Sequence, residues 1–245
     1  MSHKIELLDG AYIISDSHYS HKRPELLSLI QDIASHKLHV TQLILMGDVF
    51  DALFGGIPYT YKENSEMIEL LNKISLEIEL IYLEGNHDFN LKKVFKNAKV
   101  FTLSSQPIVC SYKDESVSLA HGDFDGDFAY RFYCAVIRNP ILLFILKYVD
   151  IITNHTILKK LDSYLGIKDD CKEFIGFEKY IQNRFLEHYN SEYFIEGHYH
   201  QNLSFKFEKF NYLNLGAFAC NQRYFIVKSS KDKKLFLEEK SYKEI

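Results

Sequence analysis

Five short polar segments of this chain combine acidic, amide and imidazole side chains with neighbouring glycines. Mixed oxygen and nitrogen donors without a thiolate suit divalent ions such as Mn²⁺, Fe²⁺ or Zn²⁺. The seven candidate donors exceed what one ion with an open position needs. Two ions about 3.5–4 Å apart that share one carboxylate fit them better, as in two-metal hydrolases. The segments are Asp16-x-His18, Gly47-Asp48-x-x-Asp51, Gly85-Asn86-His87-Asp88, His121-Gly122 and Gly197-His198-x-His200.

Most of these segments follow a short apolar run that is predicted to be a strand. Runs at 11–15, 42–46 and 79–83 alternate with helical patterns at 24–37 and 64–74, which indicates parallel βαβ units. Such sheets hold their ligands at the carboxyl ends of the strands. In an extended chain, the two side chains of each Asp-x-His or His-x-His pair are expected to point the same way. The adjacent glycines are expected to let the backbone turn tightly under an ion.

Further along the chain, the pattern changes to mixed strands and a helical stretch. Asn139-Pro140 suits an N-cap and a first helical position, and Asp170-x-x-Glu173 predicts the start of a later helix. We therefore predict an α/β core at 1–125 and 191–245 that carries a helical insertion at 126–190. The later strands are predicted at 107–112, 116–120, 193–196, 203–207, 211–215, 224–228 and 235–238.

The composition is that of a globular chain, because 47% of the residues are hydrophobic and 25% are charged. A net charge of −4 argues against a nucleic-acid partner. The four cysteines are scattered without a C-x-x-C pair, which favours reduced structural thiols in a cytoplasmic protein. No signal peptide is expected, and the apolar stretch at 141–152, interrupted by Lys147 and Asp150, is too short to span a membrane.

The role of the insertion stays open at this stage. Its apolar stripe, carried by Phe128, Phe132 and Val136 in the first helix, is typical of a face packed on a core. The stretch 131–160, however, contains five basic residues and one acidic residue, a local net charge of +4. An apolar face with a cationic rim is typical of a helix that lies on an anionic membrane.

Taken in order, the five segments resemble the motifs of the calcineurin-like metallophosphoesterase superfamily: D-x-H, G-D-x-x-D, G-N-H-[DE], H-G and G-H-x-H. The resemblance implies an α/β fold, a two-sheet αββα sandwich with the helical insertion capping the active site. It also implies two divalent ions, with Mn²⁺ preferred and Fe²⁺ or Zn²⁺ as alternatives. One ion would bind Asp16, His18 and His200, the other would bind Asn86, His121 and His198, and Asp48 would bridge them.

The same resemblance implies a mechanism without a protein nucleophile, in which a hydroxide that bridges the two ions attacks phosphorus. His87 would lie beside the ions without binding them, and would either stabilise the transition state or protonate the leaving oxygen. Asp51, Asp88 and Asp123 would orient neighbouring imidazoles or loops.

Within that superfamily, the chain looks like the UDP-2,3-diacylglucosamine diphosphatases of lipid A synthesis. The similarity lies in the run 47–55, in His121-Gly122-Asp123, and in the Asp127-x-x-Tyr130 and Asn139-Pro140 that follow. Where the common form of that family has Arg, this chain has His87. The resemblance implies cleavage of a UDP-linked lipid to 2,3-diacylglucosamine 1-phosphate and UMP, by a peripheral protein at the cytoplasmic face of the inner membrane.

The residues expected to contact this substrate lie in the insertion, although each of its basic side chains is by default a solvated helix-face charge. Two other functions remain open. One is a soluble phosphodiesterase or nucleotide hydrolase with an ordinary cap, and the other is a metal-binding scaffold without catalysis, against which His87 argues. The oligomeric state is left open. The candidate substrate-binding residues are Tyr130, Arg131, Arg138, Asn154 and Lys159.

Overall fold

A computed structural model describes residues 5–165, 170–232 and 234–244 of the chain. Most of the predicted strands form within a residue or two of the expected positions. In chain order, the strands are β1 (Ile5–Glu6), β2 (Tyr12–Ile14), β3 (Gln42–Leu45), β4 (Leu53–Phe54), β5 (Glu79–Leu83), β6 (Asp88–Phe89), β7 (Lys99–Phe101), β8 (Ile108–Tyr112), β9 (Glu115–Ala120), β10 (Tyr193–Glu196), β11 (Leu203–Lys206), β12 (Asn211–Asn214), β13 (Arg223–Ser229) and β14 (Leu235–Ser241).

The helices fall before, between and after these strands. The α-helices are α1 (Glu25–Ala34), α2 (Pro58–Glu63), α3 (Ser65–Ile74), α4 (Phe128–Ile137), α5 (Pro140–Ile152), α6 (Thr156–Leu165), α7 (Phe177–Gln182) and α8 (Phe218–Asn221). Short 3₁₀ helices cover Leu91–Lys93, Leu103–Ser105, Phe185–His188 and Tyr242–Glu244.

Two six-stranded sheets pack face to face. One has the order β14-β13-β2-β3-β5-β7 and the other the order β1-β8-β9-β10-β12-β11. Strands β2, β3, β5 and β7 are parallel, as the βαβ pattern predicts, and β10 is parallel to both β9 and β12. Ile13, Ile44 and Ile81 of the first sheet share one buried cluster with Leu119 and Ile195 of the second. This cluster is the centre of the sandwich.

Helices cover the outer faces of both sheets. Leu26, Leu29 and Ile33 recur at helical spacing in α1, so they lie on one side of the helix and pack, with α3, on the first sheet. On the second sheet, Phe177 and Ile181 of α7 pack against buried side chains of β10 and β12. Each such buried side chain contributes about 1.5–3 kcal/mol. The predicted αββα sandwich is therefore confirmed.

The later helix of the insertion begins farther along the chain than its capping pattern predicts. The pattern places its start at Asp170, but α7 begins at Phe177. Long-range contacts hold the intervening segment in a non-helical path, because Cys171 is bonded to Cys220 and Arg23 forms an ion pair with Asp170. A capping pattern depends only on neighbouring residues, so it does not predict such long-range contacts.

The prediction that all four cysteines are reduced is wrong. Cys171 and Cys220 form a disulfide across a sequence separation of 49 residues, while Cys110 and Cys134 are buried thiols. No short spacing pattern signals this pair, since only the tertiary fold brings its members together. In the chain-entropy description, closing a loop of this length stabilises the fold by about 4 kcal/mol.

Many of the apolar side chains of the cap helices α4, α5 and α6 are exposed on the outer side of these helices. Phe128 is 77% exposed, Phe132 62% and Ile152 83%. The acidic Asp150, in contrast, is buried and lies 2.7 Å from Nδ1 of His155 in the turn before α6. This distribution is the reverse of an ordinary surface helix. Core packing therefore does not account for the outer stripe.

The inner side of the cap helices rests on the core through a small apolar cluster. Leu143 of α5 is buried there with Ile57 and Phe89. Among the described helices, no single one is long and apolar enough to cross a bilayer. The pair α5 and α6 passes such a test together by length and composition, but the two are bent by 100° at the break between them. The division into a core and an insertion stays a prediction.

Candidate functional site

The predicted metal ligands meet at one end of the sandwich, where five strands end. Because strands β2, β3 and β5 run parallel, their carboxyl ends lie at one edge of the first sheet, and β9 and β10 do the same in the second. Asp16 and His18 follow β2, Asp48 follows β3, Asn86 follows β5, His121 follows β9, and His198 and His200 follow β10.

The prediction that the Asp16-x-His18 and His198-x-His200 segments are extended is wrong. Five of the seven predicted ligands have φ between +46° and +65°, which is the left-handed region. A non-glycine residue there costs about 1–3 kcal/mol and persists only where its surroundings hold it. Consecutive polar segments therefore turn sharply at the strand ends. The five residues are Asp16, His18, Asp48, His198 and His200.

Glycines beside the ligands provide space for close approach. A Cβ atom on Gly85 would lie 2.2 Å from Oδ1 of Asp48, and one on Gly197 would lie 2.4 Å from Oδ2 of Asp16. Both distances are far below van der Waals contact, so a side chain at either position displaces a carboxylate. At these two positions the glycine is required by space rather than by a tight backbone turn.

The first group of donors consists of Asp16, His18 and His200, whose candidate ligand atoms all lie within 4.8 Å of one another. Oδ1 of Asp16 is 3.1 Å from Nε2 of His200. The same carboxylate accepts a hydrogen bond from the backbone N–H of His198 at 3.0 Å. The structure thus brings together the three side chains predicted for one ion.

The second group consists of Asp48, His121 and His198, with candidate ligand atoms again within 4.8 Å of one another. Oδ2 of Asp48 is 3.4 Å from Nε2 of His121. Its other oxygen accepts the backbone N–H of His87 at 2.8 Å, in the same loop as Asn86. Asp48 therefore contacts His121 of the second sheet and the loop that contains Asn86, and its bridging of two ions stays a prediction.

Backbone carbonyls orient two of these imidazoles. Nδ1 of His121 lies 2.9 Å from the carbonyl oxygen of Met46, and Nδ1 of His200 contacts the carbonyl oxygen of Asp170. A proton on Nδ1, donated to a carbonyl, leaves the lone pair of Nε2 available to a metal. In both residues it is Nε2 that faces a carboxylate of the centre.

Several polar atoms at the centre are buried without a hydrogen-bond partner among the described residues. They are both ring nitrogens of His18, Nε2 of His121 and Oδ1 of Asn86. An unpaired buried polar atom costs about 1–3 kcal/mol. All three of these side chains belong to the predicted ligand set, and a divalent cation would satisfy one donor atom of each. The residues present therefore fit a divalent-metal site.

The electrostatics of the centre favour a cation. Burial alone raises the pKa of Asp48, but the positive charge of the surrounding imidazoles, His121 first, outweighs burial and holds that pKa well below its usual range. Burial opposes the charge of Asp16 as well, and His200 overcomes it to lower the pKa to about 2. Conversely, although burial lowers the pKa of His121, the negative charge of Asp48 raises it well above normal. Two ionised carboxylates thus hold positive charge around them.

Asp88 supports the loop that carries Asp48. Its carboxylate accepts the backbone N–H groups of Asp48 at 3.1 Å, Val49 at 2.7 Å and Gly85 at 2.9 Å, and the hydroxyl of Tyr82 at 2.5 Å. Burial and the negative charge of Asp48 raise the pKa of Asp88 to about 7. Of the two roles expected for it, these bonds favour the orientation of loops over that of an imidazole.

His87 forms a third candidate donor group with His18 and Asp51, whose ligand atoms lie within 4.8 Å of one another. Its Nδ1 is 2.9 Å from the carbonyl oxygen of Asp51, and its Nε2 is 4.0 Å from Oδ2 of Asp48. The carboxylate of Asp51 is 3.4 Å from Nδ1 of His18, so Asp51 contacts both imidazoles. The contact through Nδ1 thus directs Nε2 of His87 towards the centre.

Two of the five predicted substrate-binding residues reach this end of the sandwich. The hydroxyl of Tyr130 donates to Asp123 at 3.0 Å. Nη2 of Arg138 is 3.8 Å from the same carboxylate and donates to the carbonyl oxygen of Gly85 at 2.9 Å. Its Nε and Nη1 are buried without a partner among the described residues. Asp123 thus contacts Tyr130 of α4 and Arg138 at the C-cap of that helix. Arg138 also connects the end of α4 to the loop that contains Asn86.

The other three predicted substrate-binding residues lie elsewhere. Arg131 and Asn154 are exposed on the cap helices and the turn between them. Lys159 donates to the carbonyl oxygen of Asn154 at 3.1 Å and lines a cavity of about 240 Å³ that Asp51 also lines. The structure does not bring Arg131 and Asn154 to the metal end, and Lys159 makes no direct contact with the predicted metal ligands among the described residues.

An apolar cavity of about 400 Å³ runs from the metal end beneath the cap helices. Asn86 and His87 line its polar end. Its remaining walls are mostly apolar and include Phe54, Ile57, Phe89, Tyr133, Ile137, Leu143, Leu146, Ile157, Leu158, Leu161, Tyr164 and Leu165.

Sequence reasoning misses a buried ion-pair network beside His198. Arg184 forms two hydrogen bonds to Asp125, at 3.0 and 2.8 Å, and one to Glu196, which ends β10 just before the Gly197-His198 turn. Burial raises the pKa of Glu196 to about 7 even though Arg184 opposes it. A glutamate at the end of an otherwise apolar strand was the available signal, since a buried carboxylate requires a partner.

The chain is similar to known phosphoesterases. Residues 11–202 match the family described as calcineurin-like phosphoesterase. A UDP-2,3-diacylglucosamine hydrolase of Pseudomonas fluorescens (strain SBW25) is 28% identical over 194 residues, which cover 77% of this chain and 78% of that protein. The same-named protein of strain Pf0-1 is 29% identical, with the same shares covered. Among solved structures, the phosphoesterase Yfce from E. coli covers 94% of this chain and 98% of its own, at 14% identity and a TM-score of 0.48.

Proposed function

The chain belongs to the calcineurin-like phosphoesterase family and is a metal-dependent phosphoester hydrolase, and from this premise we propose that it hydrolyses UDP-2,3-diacylglucosamine. The products are 2,3-diacylglucosamine 1-phosphate and UMP. One observation carries the proposal: a metal-binding end with His87 at its edge opens into an apolar cavity beneath the cap helices. The name borne by two relatives that match over most of the chain supports the same substrate.

The residues of the centre divide the chemical work. Asp16, His18 and His200 would hold one divalent ion, Asn86, His121 and His198 would hold a second, and Asp48 would serve both. When bound, the ions neutralise phosphate oxygens and activate water. His87, held through Nδ1 by the carbonyl of Asp51, directs Nε2 at the centre, where its imidazolium form would protonate the leaving oxygen or stabilise the charge that develops on phosphorus. Because the donor set contains no thiolate, we propose Mn²⁺ ahead of Fe²⁺ and Zn²⁺.

The direct test is hydrolysis of UDP-2,3-diacylglucosamine in detergent micelles by protein loaded in turn with each of these ions. Release of UMP and of the lipid monophosphate is expected, fastest with Mn²⁺. Rapid turnover of soluble diesters with none of the lipid would instead favour a soluble phosphodiesterase or nucleotide hydrolase.

The apolar cavity is proposed to take the acyl chains. Leu161→Trp places an indole in that cavity and is expected to raise the KM for the diacylated substrate about tenfold, which corresponds to about 1.4 kcal/mol of lost binding. The rate with bis(p-nitrophenyl) phosphate, which has no acyl chain, should not change. Leu76→Trp, at an exposed site on the core, is the matched control. An unchanged KM for the lipid in the Leu161 variant would contradict acyl binding there.

We also propose that the outer face of α5 rests on the cytoplasmic face of the inner membrane. Ile141, Phe144, Ile145 and Tyr148 share one exposed side of this helix with Ile152. Beside them, Lys92, Lys93 and Lys147 line a groove of about 850 Å³ together with Glu69 and Glu84, so that its lysines outnumber its carboxylates. An apolar face flanked by lysines suits an anionic bilayer.

Replacing Ile141 and Ile152 by Asp is expected to weaken binding to phosphatidylglycerol vesicles by at least about tenfold, because two apolar side chains no longer enter the bilayer. Vesicle co-sedimentation measures the change, with Leu76→Asp as the control. Activity on bis(p-nitrophenyl) phosphate reports that the fold is intact. Equal vesicle binding by the double variant and the wild type would refute the membrane contact.

A further inference from the structure

The Cys171–Cys220 disulfide lies next to the first donor group of the metal centre. It joins the segment that returns from the insertion to α8, which follows β12 in the core. Cys171 is exposed and Cys220 is half-buried, so the bond is accessible to small reductants. Each cysteine is next in the chain to a residue that contacts a predicted ligand: Asp170 precedes Cys171, and Ala219 precedes Cys220.

On the insertion side, the neighbour of Cys171 is Asp170. Its carbonyl oxygen contacts Nδ1 of His200 and so holds the ring with Nε2 towards Asp16. The Sγ atom of Cys220 lies 3.8 Å from the same carbonyl oxygen. The carboxylate of Asp170 forms an ion pair with Arg23. The path of the chain at Asp170 is thus set by the disulfide on one side and by an ion pair on the other.

On the core side, the neighbour of Cys220 is Ala219, whose backbone N–H donates to the carbonyl oxygen of Asp16 at 3.2 Å. The N–H of Phe218 donates to Ser15 at 2.9 Å. These two hydrogen bonds support the backbone at Asp16, which has the left-handed conformation just after β2. The disulfide therefore ties together the two backbone supports of Asp16 and His200.

We propose that the Cys171–Cys220 disulfide is a positioning element of the metal centre, which keeps His200 oriented towards the ion shared with Asp16 and His18. Reduction breaks the S–S bond and leaves two thiols. The two electrons and two protons come from a dithiol, which closes to its own disulfide. The released segment no longer holds the carbonyl of Asp170 against His200, and the affinity of this donor group for a divalent cation falls. The proposal rests on the assignment of these side chains as metal ligands, and not on the identity of the phosphoester.

The test is titration of the metal-free full chain with Mn²⁺ by calorimetry, without substrate. Three samples are compared: the oxidised protein, the protein reduced with dithiothreitol and desalted under argon, and the double variant Cys171→Ser/Cys220→Ser. Loss of an outer contact to a ligating histidine weakens metal binding by about 10–100-fold, so we expect one of two Mn²⁺ equivalents to weaken by that factor in the last two samples. Re-oxidation of the reduced wild type should restore it.

Cys134→Ser is the matched control, because it removes a buried thiol that forms no disulfide, and it should titrate like the wild type in both redox states. Thiol counting on the unfolded wild-type chain should find two thiols before reduction and four after. The far-UV circular dichroism of the folded protein should not change on reduction. Equal Mn²⁺ affinity in all samples, or four thiols before reduction, would overturn the proposal. Since no substrate is present, the outcome is independent of whether UDP-2,3-diacylglucosamine is hydrolysed.

Discussion

Asp48→Asn is expected to abolish tight binding of the metal pair and to lower kcat/KM by about a thousandfold or more. The substitution removes one negative charge while preserving the shape of the side chain and an oxygen that can accept the N–H of His87. A unit charge about 4 Å from a cation contributes about 4 kcal/mol at an effective dielectric constant of 20, which corresponds to roughly a thousandfold in affinity. Because Asp48 is buried within the second donor group, solvent cannot replace that charge.

Metal content after gel filtration, measured by mass spectrometry, and hydrolysis of bis(p-nitrophenyl) phosphate are the two readouts for this variant. Asp114→Asn is a suitable control, since it removes the same charge from an exposed turn between β8 and β9. Two retained ions together with normal activity in the Asp48 variant would show that this carboxylate does not bridge the metals.

The second large effect is expected for His87→Ala, in which kcat should fall by about 10²–10⁴-fold, the usual contribution of a positioned acid or base, while both ions remain bound. His87 contacts Asp51 and lies near Asp48, but it belongs to neither of the two predicted ligand groups. Its loss should therefore leave the metal content unchanged. His39→Ala, at an exposed position, controls for the loss of an imidazole.

The choice of leaving group separates the two roles considered for His87. If Nε2 protonates the leaving oxygen, the loss should be much smaller with p-nitrophenyl esters, whose leaving group needs no proton, than with an alkyl phosphodiester, whose alkoxide leaving group needs one. If it stabilises charge on phosphorus, both substrates should lose activity equally. Unchanged turnover of both substrates by the metal-loaded variant would remove His87 from the mechanism.

Much of the site could be predicted from the sequence because the relevant signals are local. The apolar run that forms β3 ends directly before Gly47-Asp48, and the run that forms β5 ends directly before Glu84-Gly85-Asn86. Parallel strands bring such ends to one edge whatever the rest of the chain does. The location of the donors and a divalent-metal site follow from these short-range patterns, whereas the αββα sandwich and phosphoester hydrolysis follow from the resemblance of the motifs to the superfamily.

Conformation at the same residues could not be predicted. Asp16 and His18 take positive φ because Asp16 is held by the N–H groups of His198 and Ala219, which are distant in the chain. The strain of the left-handed region is tolerated only when such contacts exist. The alternating spacing of the ligands along the chain does not predict these long-range contacts. The expectation of an extended segment therefore fails.

The sequence by itself determined the ligand types, their order and the strand ends on which they lie, because each depends on residues that are neighbours along the chain. Only the tertiary structure decided that Cys171 meets Cys220, that α7 begins at Phe177 and that the apolar stripe of the cap helices faces outwards. These features depend on which surfaces meet after folding. The apolar periodicity of a helix shows that it has an apolar side, but not whether that side packs on the core or faces outwards.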